Sequence, residues 1–237
     1  MIISHAHRFI LLAPWKCASS TCRESLAQFD ESPYDGFFYF NRQLNRVVHQ
    51  HLTLGHLRAL PESQLGYKIA AFVRNPYDRA YSGFRQLQRD FSVQPTLGYE
   101  PEWIGDLVRS QIAANMERII AAGFDFDRWI QLLPAHEVHD ALHNTNMPLH
   151  PAHYWTHVAG ELKVDFLGRV ETFDQDFGAF CDFVGIDAPA IKSANRSGDD
   201  GSGTVGPKYA DRMSRRSLDR INDLFHFDFE YFGYAKL

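Results

Sequence analysis

The strongest constraint on the fold comes from a stretch in which an apolar strand pattern meets a helical pattern across a sharp turn. The run Tyr67–Val73 (YKIAAFV) predicts a buried strand, and the periodicity of Arg79–Phe91 predicts a helix. Pro76 lies between them, and proline disfavours helix in the residues just before it. Arg74 is therefore expected at the tip of the strand, in a strand–turn–helix unit typical of α/β proteins.

Arg74 and Ser82 are the first candidate ligands. The helix is expected to open near Asp78, so that Ser82, eight residues after the arginine, lies about one turn into it. A guanidinium supplies forked donors, and a helix start adds its positive dipole end, so the two side chains can hold one phosphate together. The alternative is an ordinary surface turn with a solvated arginine.

A second segment has the same order of strand, loop and helix. Arg8–Leu12 reads as a buried strand, and a helical run covers Ser20–Phe29. The loop between them, Ala13–Thr21, carries a lysine and three hydroxyl groups, and its small residues let backbone N–H groups approach an anion. It is not a Walker A loop. The alternative is a plain connection with a serine cap.

The rest of the chain predicts one α/β domain over residues 1–237. A third strand is expected at Val164–Gly168, and long helices between the strands imply a parallel sheet with right-handed crossovers. Ser193–Pro207 is expected to be irregular, either as a lid over a ligand or as plain surface. Helical patterns also cover Trp103–Ala122, Phe126–Leu133, Asp174–Val184 and Asp211–Phe225.

The two loop segments together resemble the sulfotransferase superfamily, and within it the family 2 enzymes, which include carbohydrate and heparan-type sulfotransferases. The match is PWKCASST from Pro14 and VRNPYDRAYS from Val73. Val164–Thr172 is similar to the family's late strand, and Asp228–Tyr234 to its C-terminal ending. The resemblance implies a P-loop-like, three-layer α/β fold with a central, mainly parallel sheet flanked by helices.

The resemblance also implies a donor and its ligands. The donor is 3′-phosphoadenosine 5′-phosphosulfate, and no metal is expected. Arg74 and Ser82 would bind its 3′-phosphate, and Lys16 would in addition stabilise the leaving phosphate. The chain departs from the family where it has Cys17 to Ser19 in place of glycine or threonine. The 5′-phosphosulfate would be held by Lys16, Cys17, Ala18, Ser19, Ser20 and Thr21.

Sulfuryl transfer needs a base for the acceptor hydroxyl, and histidine suits neutral pH. The segment His49-Gln50-His51 resembles the His-x-His segment of the heparan-type branch, which makes His51 the candidate base with His49 beside it. His56 is the reserve, and Glu171 follows if none of them acts. The alternative for each histidine is a solvated or capping role. With His51 as base, the rate is expected to rise through an ionisation near pH 6–7.

A second histidine group raises the question of a metal site. Pairs spaced three or four residues apart on a helix can bind a metal. This segment also contains two prolines and lacks a clean helical frame, so a polar loop on the acceptor side is favoured. The group consists of His136, His139, His143, His150, His153 and His157.

Two other functions stay open. Cys17 and Arg23 have the C-x5-R spacing of a phosphatase loop, in which a thiolate attacks phosphorus. The loop lacks the glycine and asparagine of that cradle, and Glu24 stands where serine or threonine is usual. The other alternative is a nucleotide-binding module without catalysis.

Composition limits partners and compartment. The net charge of −5 gives no basic field for nucleic acid, and three cysteines give no disulfide framework. The apolar run Phe9–Ala13 is too short for a signal sequence. We therefore expect a cytoplasmic enzyme without a membrane anchor. The resemblance implies a bacterial origin, because animal Golgi members of the family carry an N-terminal anchor. Its acceptor would be a hydroxyl on a carbohydrate or small metabolite.

Overall fold

The computed structural model describes residues 1–34, 38–92, 102–139, 150–192 and 207–237. The chain forms two compact units. Unit 1 comprises Met1–Phe37, Gln50–Arg74 and Ala152–Val205, and unit 2 comprises Phe38–His49, Asn75–Pro151 and Gly206–Leu237. In the described residues the strands are β1 (Ile2–Ser4), β2 (Phe9–Leu12), β3 (Tyr39–Asn41), β4 (Arg46–Val48), β5 (Lys68–Val73), β6 (His157–Val158), β7 (Glu161–Leu162) and β8 (Phe166–Arg169). The helices are α1 (Ser19–Ser25), α2 (Leu54–Arg58), α3 (Pro76–Ser92), α4 (Glu102–Ala121), α5 (Phe126–Leu132), α6 (Ala135–His139), α7 (Phe173–Val184), α8 (Arg215–Leu224) and α9 (His226–Phe232).

Unit 1 is built on a four-stranded sheet in the order β1-β2-β5-β8. Strands β2, β5 and β8 run parallel, and β1 is an antiparallel edge. In the register, Leu12 lies opposite Ala71, and Val73 lies opposite Arg169. The strands β2 and β5 are apolar almost throughout because they are covered by side chains on both faces.

The core of unit 1 lies between this sheet and α1 and α7. Phe72, Phe177 and Phe180 are fully buried in it, and α7 packs against β8. Gly168 is required on β8 because a Cβ there would overlap the ring of Phe72. Close packing on the sheet face covered by α1 and α7 fixes the positions of the carboxyl ends of β5 and β8.

In the described residues of unit 2, the regular elements are helices apart from the β3–β4 hairpin. Helix α3 packs against α4, α5 and α8. Its buried face carries Tyr77, Phe84 and Leu87, which join Trp129 of α5 and Ile221 of α8 in one apolar cluster.

The predicted mixed α/β structure with a mostly parallel central sheet is confirmed, and each predicted strand overlaps an observed one. The prediction of a polar loop without a clean helical frame at the second histidine group is wrong at its start, where His136 and His139 lie on α6. Single-domain organisation over residues 1–237 stays a prediction, and the lid prediction at Ser193–Pro207 falls almost entirely outside the described residues. Across the described ranges, no helix has the combination of length and apolar composition that a bilayer span requires.

Candidate active site

The candidate site of unit 1 lies where the parallel strands end. The carboxyl ends of adjacent parallel strands share one edge of the sheet, and this edge is where α/β proteins bind ligands. The loop that begins at Ala13 follows β2, Arg74 follows β5, and Val170 follows β8. A hydrogen bond from the Val170 amide to the Val73 carbonyl (2.9 Å) continues the β5–β8 ladder up to this edge.

The loop after β2 holds an unusual backbone. Lys16 and Ala18 have left-handed conformations, with φ of 63° and 61°. Each costs a residue other than glycine about 1–2 kcal/mol. The Cys17 amide donates to the Pro14 carbonyl at 3.2 Å, which closes the turn. Left-handed residues of this kind form backbone concavities that bind anions, and strain held in a loop is typical of functional sites.

Helix α1 starts directly from this loop without a side-chain cap. Ala18 precedes it as the N-cap residue, and within the described residues no side chain caps its first turn. The first amides of a helix have no intrahelical partner, so they are suited to an anion. Ser19 and Thr21 are half-buried and Ser20 is exposed. In the part of the chain that the structure describes, their hydroxyl groups make no hydrogen bond.

Arg74 is half-buried at the end of β5. Among the described residues its guanidinium forms no hydrogen bond or ion pair. A guanidinium has five donors, and a partly buried one without partners is costly unless a ligand binds it.

The residues that follow Arg74 are occupied in holding unit 2 together. The Asn75 side chain accepts from the Tyr77 amide at 3.1 Å, and Pro76 is the first residue of α3, where its missing N–H costs nothing. Arg79 is 2% exposed and donates to Asp228 of α9 (3.3 Å) and to the carbonyl of His150 (2.8 Å). Arg79 therefore has a structural role.

Ser82 is half-buried on α3, and its hydroxyl forms no hydrogen bond within the described residues. Because α3 begins at Pro76, Ser82 lies nearly two turns into the helix, and the predicted single turn is wrong. Arg74 belongs to unit 1 and Ser82 to unit 2. Their pairing on one phosphate stays a prediction.

His51 is only 5% exposed and lies against the loop after β2. Its Nδ1 donates to the carbonyl of Ala13 at 2.6 Å, which leaves Nε2 as the acceptor atom of the ring. The Trp155 indole donates to the backbone carbonyl of His51 at 3.2 Å and holds it in place. Burial lowers the pKa of His51 to about 3. A buried imidazole resists charging. The ionisation near pH 6–7 was predicted for turnover with the donor bound, and it stays a prediction.

The other two candidate histidines have different surroundings. His56 is the third residue of α2 in a capping box. Its Nδ1 accepts from the Thr53 amide at 3.1 Å, and its own amide donates to the Thr53 hydroxyl at 3.3 Å. The capping alternative therefore applies to His56. His49 is buried in unit 2 with its ring edge against Phe38.

The sequence model of the sulfotransferase family matches residues 1–235. This chain belongs to the sulfotransferase family. Among curated proteins and among solved structures, none matches the chain significantly. Family membership confirms the predicted resemblance and supports sulfotransfer as the activity of the protein.

The phosphatase alternative does not fit this sulfotransferase. Cys17 is 1% exposed, and its thiol donates to the Trp15 carbonyl at a sulfur–oxygen distance of 3.7 Å. A thiol that is buried and engaged as a donor is not open to attack on a phosphate ester. Cys17 serves instead as a small, packed residue inside the loop.

The second histidine group of the sulfotransferase is dispersed. His150 is fully buried, and its Nδ1 donates a hydrogen bond to the backbone carbonyl of Val138. The Nδ1 atom of His157 is hydrogen-bonded to the Thr156 hydroxyl. His136 and His139 lie on α6, and His143 is outside the described residues. Within the described ranges no three metal-binding side chains come together.

The end of β8 has a structural partner that sequence reasoning missed. Asp176 accepts from the Arg169 amide at 2.7 Å and from the Thr172 hydroxyl at 3.0 Å. Part of the signal was present, because the helix dipole favours acidic residues in the first turn of a helix, where Asp176 lies. Glu171 is exposed beside it.

Proposed function

We propose that this sulfotransferase moves the sulfuryl group of 3′-phosphoadenosine 5′-phosphosulfate to an acceptor hydroxyl. Donors of this type are general in the family. One observation carries the proposal: the His51 imidazole is hydrogen-bonded to Ala13, the first residue of the loop that holds Lys16. A base and a cation for the leaving group are thus attached to the same short loop of unit 1.

The donor would bind through backbone and side-chain groups together. The uncapped start of α1 and the left-handed residues at 16 and 18 would hold the 5′-phosphosulfate, with Ser19, Ser20 and Thr21 adding hydroxyl donors. Arg74 would bind the 3′-phosphate together with Ser82. We include in this proposal the P-loop-like, three-layer architecture that the resemblance implies.

Sulfuryl transfer would use His51 as the base and Lys16 as the cation for the leaving group. The acceptor oxygen forms a bond to sulfur while the bond from sulfur to the bridging phosphate oxygen breaks, and the hydroxyl proton passes to Nε2 of His51. The product nucleotide leaves as 3′-phosphoadenosine 5′-phosphate. Lys16 would stabilise the charge that develops on the bridging oxygen.

The low pKa of His51 is consistent with this role once the donor binds. An anion beside an imidazole favours its charged form, so the phosphosulfate would raise the pKa of His51 toward the range in which a base is efficient. Without donor the histidine stays neutral and ready to accept a proton.

For the acceptor we propose a carbohydrate or small metabolite, and for the location the cytoplasm. The net charge of −5 provides no bulk attraction for a highly sulfated polymer.

The test is transfer of labelled sulfate from the donor to a panel of sugars and small hydroxyl compounds, with mass spectrometry of the products. We expect one acceptor class to gain a sulfuryl group with equimolar release of 3′-phosphoadenosine 5′-phosphate. Donor binding without transfer to any member of a broad panel would support the non-catalytic alternative, and hydrolysis of an aryl phosphate would support the phosphatase.

A further inference from the structure

Trp155 is a fully buried side chain of unit 1 that bonds to the segment carrying the candidate base. Its indole N–H donates to the backbone carbonyl of His51 at 3.2 Å, across 104 positions of the chain. Both residues are buried, and a hydrogen bond in a low-dielectric interior is stronger than one in water. The indole therefore fixes the backbone from which the His51 ring projects.

The turn that carries Trp155 is itself anchored within unit 1. It is a 3-10 turn, Ala152–Trp155, and the Thr156 amide closes it by donating to the His153 carbonyl at 3.0 Å. The Lys163 amide then donates to the Thr156 carbonyl at 2.8 Å. The turn also packs against α2, the helix that follows His51 in the chain. Trp155 is therefore a fixed support for the histidine segment.

On the other side, the ring of His51 is bonded to the loop after β2. Its Nδ1 donates to the carbonyl of Ala13 at 2.6 Å, and Ala13 directly follows Leu12, the last residue of β2. In many enzymes a third group bonds to one nitrogen of a catalytic histidine and fixes the orientation of the ring. Here the Ala13 carbonyl has that place, and Trp155 holds the histidine backbone. Two hydrogen bonds thus lead from the turn through His51 to the loop.

We propose that Trp155 is a positioning residue for the base, acting on the reaction only through His51. The inference rests on the proposed function. A general base must lie within hydrogen-bond reach of the proton that it accepts, and a displacement of about 1 Å can cost about 100-fold in rate. A shift of the His51 backbone would move Nε2 away from the acceptor hydroxyl and lengthen the bond from Nδ1 to Ala13 at the same time.

The kinetics of Trp155→Phe give the first test. Phenylalanine keeps an aromatic ring and lacks the N–H donor. We expect turnover to fall roughly 10-fold, whereas donor affinity and the acceptor KM should stay within about twofold of wild type. Trp129→Phe is the matched control, because it makes the same change at a buried tryptophan in the apolar cluster of unit 2. Its turnover should stay within about twofold. Equal losses in both variants would overturn the proposal.

A double-mutant cycle separates positioning from general support of the fold. In a His51→Ala background, Trp155→Phe should lower the residual rate by less than about twofold, because a residue that acts through His51 has nothing left to position. A 10-fold loss in both backgrounds would show that Trp155 supports unit 1 as a whole, and it would overturn the positioning role. Turnover that survives His51→Ala unchanged would overturn that role together with the assignment of the base.

An NMR measurement without substrate gives a readout that does not depend on transfer. Replacement of Trp155 by 3-benzothienylalanine keeps the shape of the indole and puts sulfur in place of the N–H, so it tests the bond even if Trp155→Phe does not fold. We expect the Nδ1–H proton of His51 to exchange with solvent roughly 10-fold faster than in wild type, because its bond to Ala13 opens more often. Unchanged exchange would overturn the proposal. Absence of sulfuryl transfer by wild type would instead overturn the proposed function.

Discussion

Two strand-to-helix connections of this protein resemble each other in sequence pattern and differ in how their polar groups are satisfied. After β5, Asn75 accepts the Tyr77 amide, Pro76 removes an amide that would lack a partner, and Arg79 is buried against Asp228. After β2, Lys16 and Ala18 are left-handed, and α1 begins without a side-chain cap.

The difference separates structural residues from ligand-binding ones within a single motif. Folded proteins satisfy nearly all of their buried polar groups, so a connection that leaves donors open has a reason other than stability. In the segment from Arg74 to Ser82, the central residues hold unit 2 together. Among the described residues, the side chains of the two end residues, Arg74 and Ser82, make no hydrogen bond.

The largest effect should come from the structural centre of the motif after β5. Asp228→Ala should lower the free energy of unfolding by about 3–5 kcal/mol, because it leaves the Arg79 charge buried and unpaired. Chemical denaturation measures this loss. Glu230→Ala on the same helix should cost less than about 0.5 kcal/mol, since Glu230 is exposed. A small loss for Asp228→Ala would show that the motif centre is not the structural half.

A substitution in the loop after β2 should lower the rate of sulfuryl transfer. Lys16→Ala should lower turnover about 100-fold or more, because one positive group aimed at the leaving phosphate is removed. Its stability should hardly change, since Lys16 is half-buried in a loop. Single-turnover transfer with labelled donor gives the rate, and turnover close to wild type would remove Lys16 from the mechanism.

His51 should make the protein sensitive to acid. Its pKa is lowered to about 3 in the folded protein and is near 6.5 when unfolded. Below pH 6.5 the unfolded chain binds the proton and the folded one does not, so stability falls with pH down to about 3. At pH 5 this loss amounts to about 2 kcal/mol.

His51→Asn removes the titration and keeps a donor for the Ala13 carbonyl. The difference in unfolding free energy between pH 7 and pH 5 should therefore be smaller in this variant than in wild type. An NMR titration showing His51 protonated near pH 6.5 in the ligand-free protein would contradict the burial argument.

The smallest effect concerns backbone strain. Ala18→Gly should raise the free energy of unfolding by about 0.5–1 kcal/mol, because glycine adopts the left-handed conformation without steric cost. The gain is reduced by the greater conformational freedom of glycine in the unfolded chain. Ala113→Gly, at an exposed position within α4, should have the opposite sign and cost about 1 kcal/mol. A loss in both variants would mean that the loop is not strained.

The sequence predicted the elements that local pattern determines. Apolar runs located β2, β5 and the late strand, and helical periodicity located α3, α4, α5 and α7. The three-residue strands β1, β3 and β4 are too short for a periodic signal. The start of α3 could have been predicted at Pro76, because asparagine followed by proline is a helix-start signal.

Hydrogen bonds between residues far apart in the chain could not be predicted from the sequence, for a different reason. The pairing of Arg79 with Asp228 spans 149 positions, and that of Asp78 with the Lys208 amide spans 130. No local preference encodes such contacts. For His56 the sequence left a base and a capping role open, because a histidine occupies the place of the glutamate or glutamine that is usual in a capping box.

The central claim is that Arg74 holds the 3′-phosphate of the donor while the motif centre holds the fold. Calorimetry of Arg74→Ala with two nucleotides tests it most directly. We expect the binding free energy of 3′-phosphoadenosine 5′-phosphate to weaken by about 2–4 kcal/mol, because a charge-assisted contact is lost, and that of adenosine 5′-phosphosulfate to stay almost unchanged. Equal losses for both nucleotides would contradict the claim.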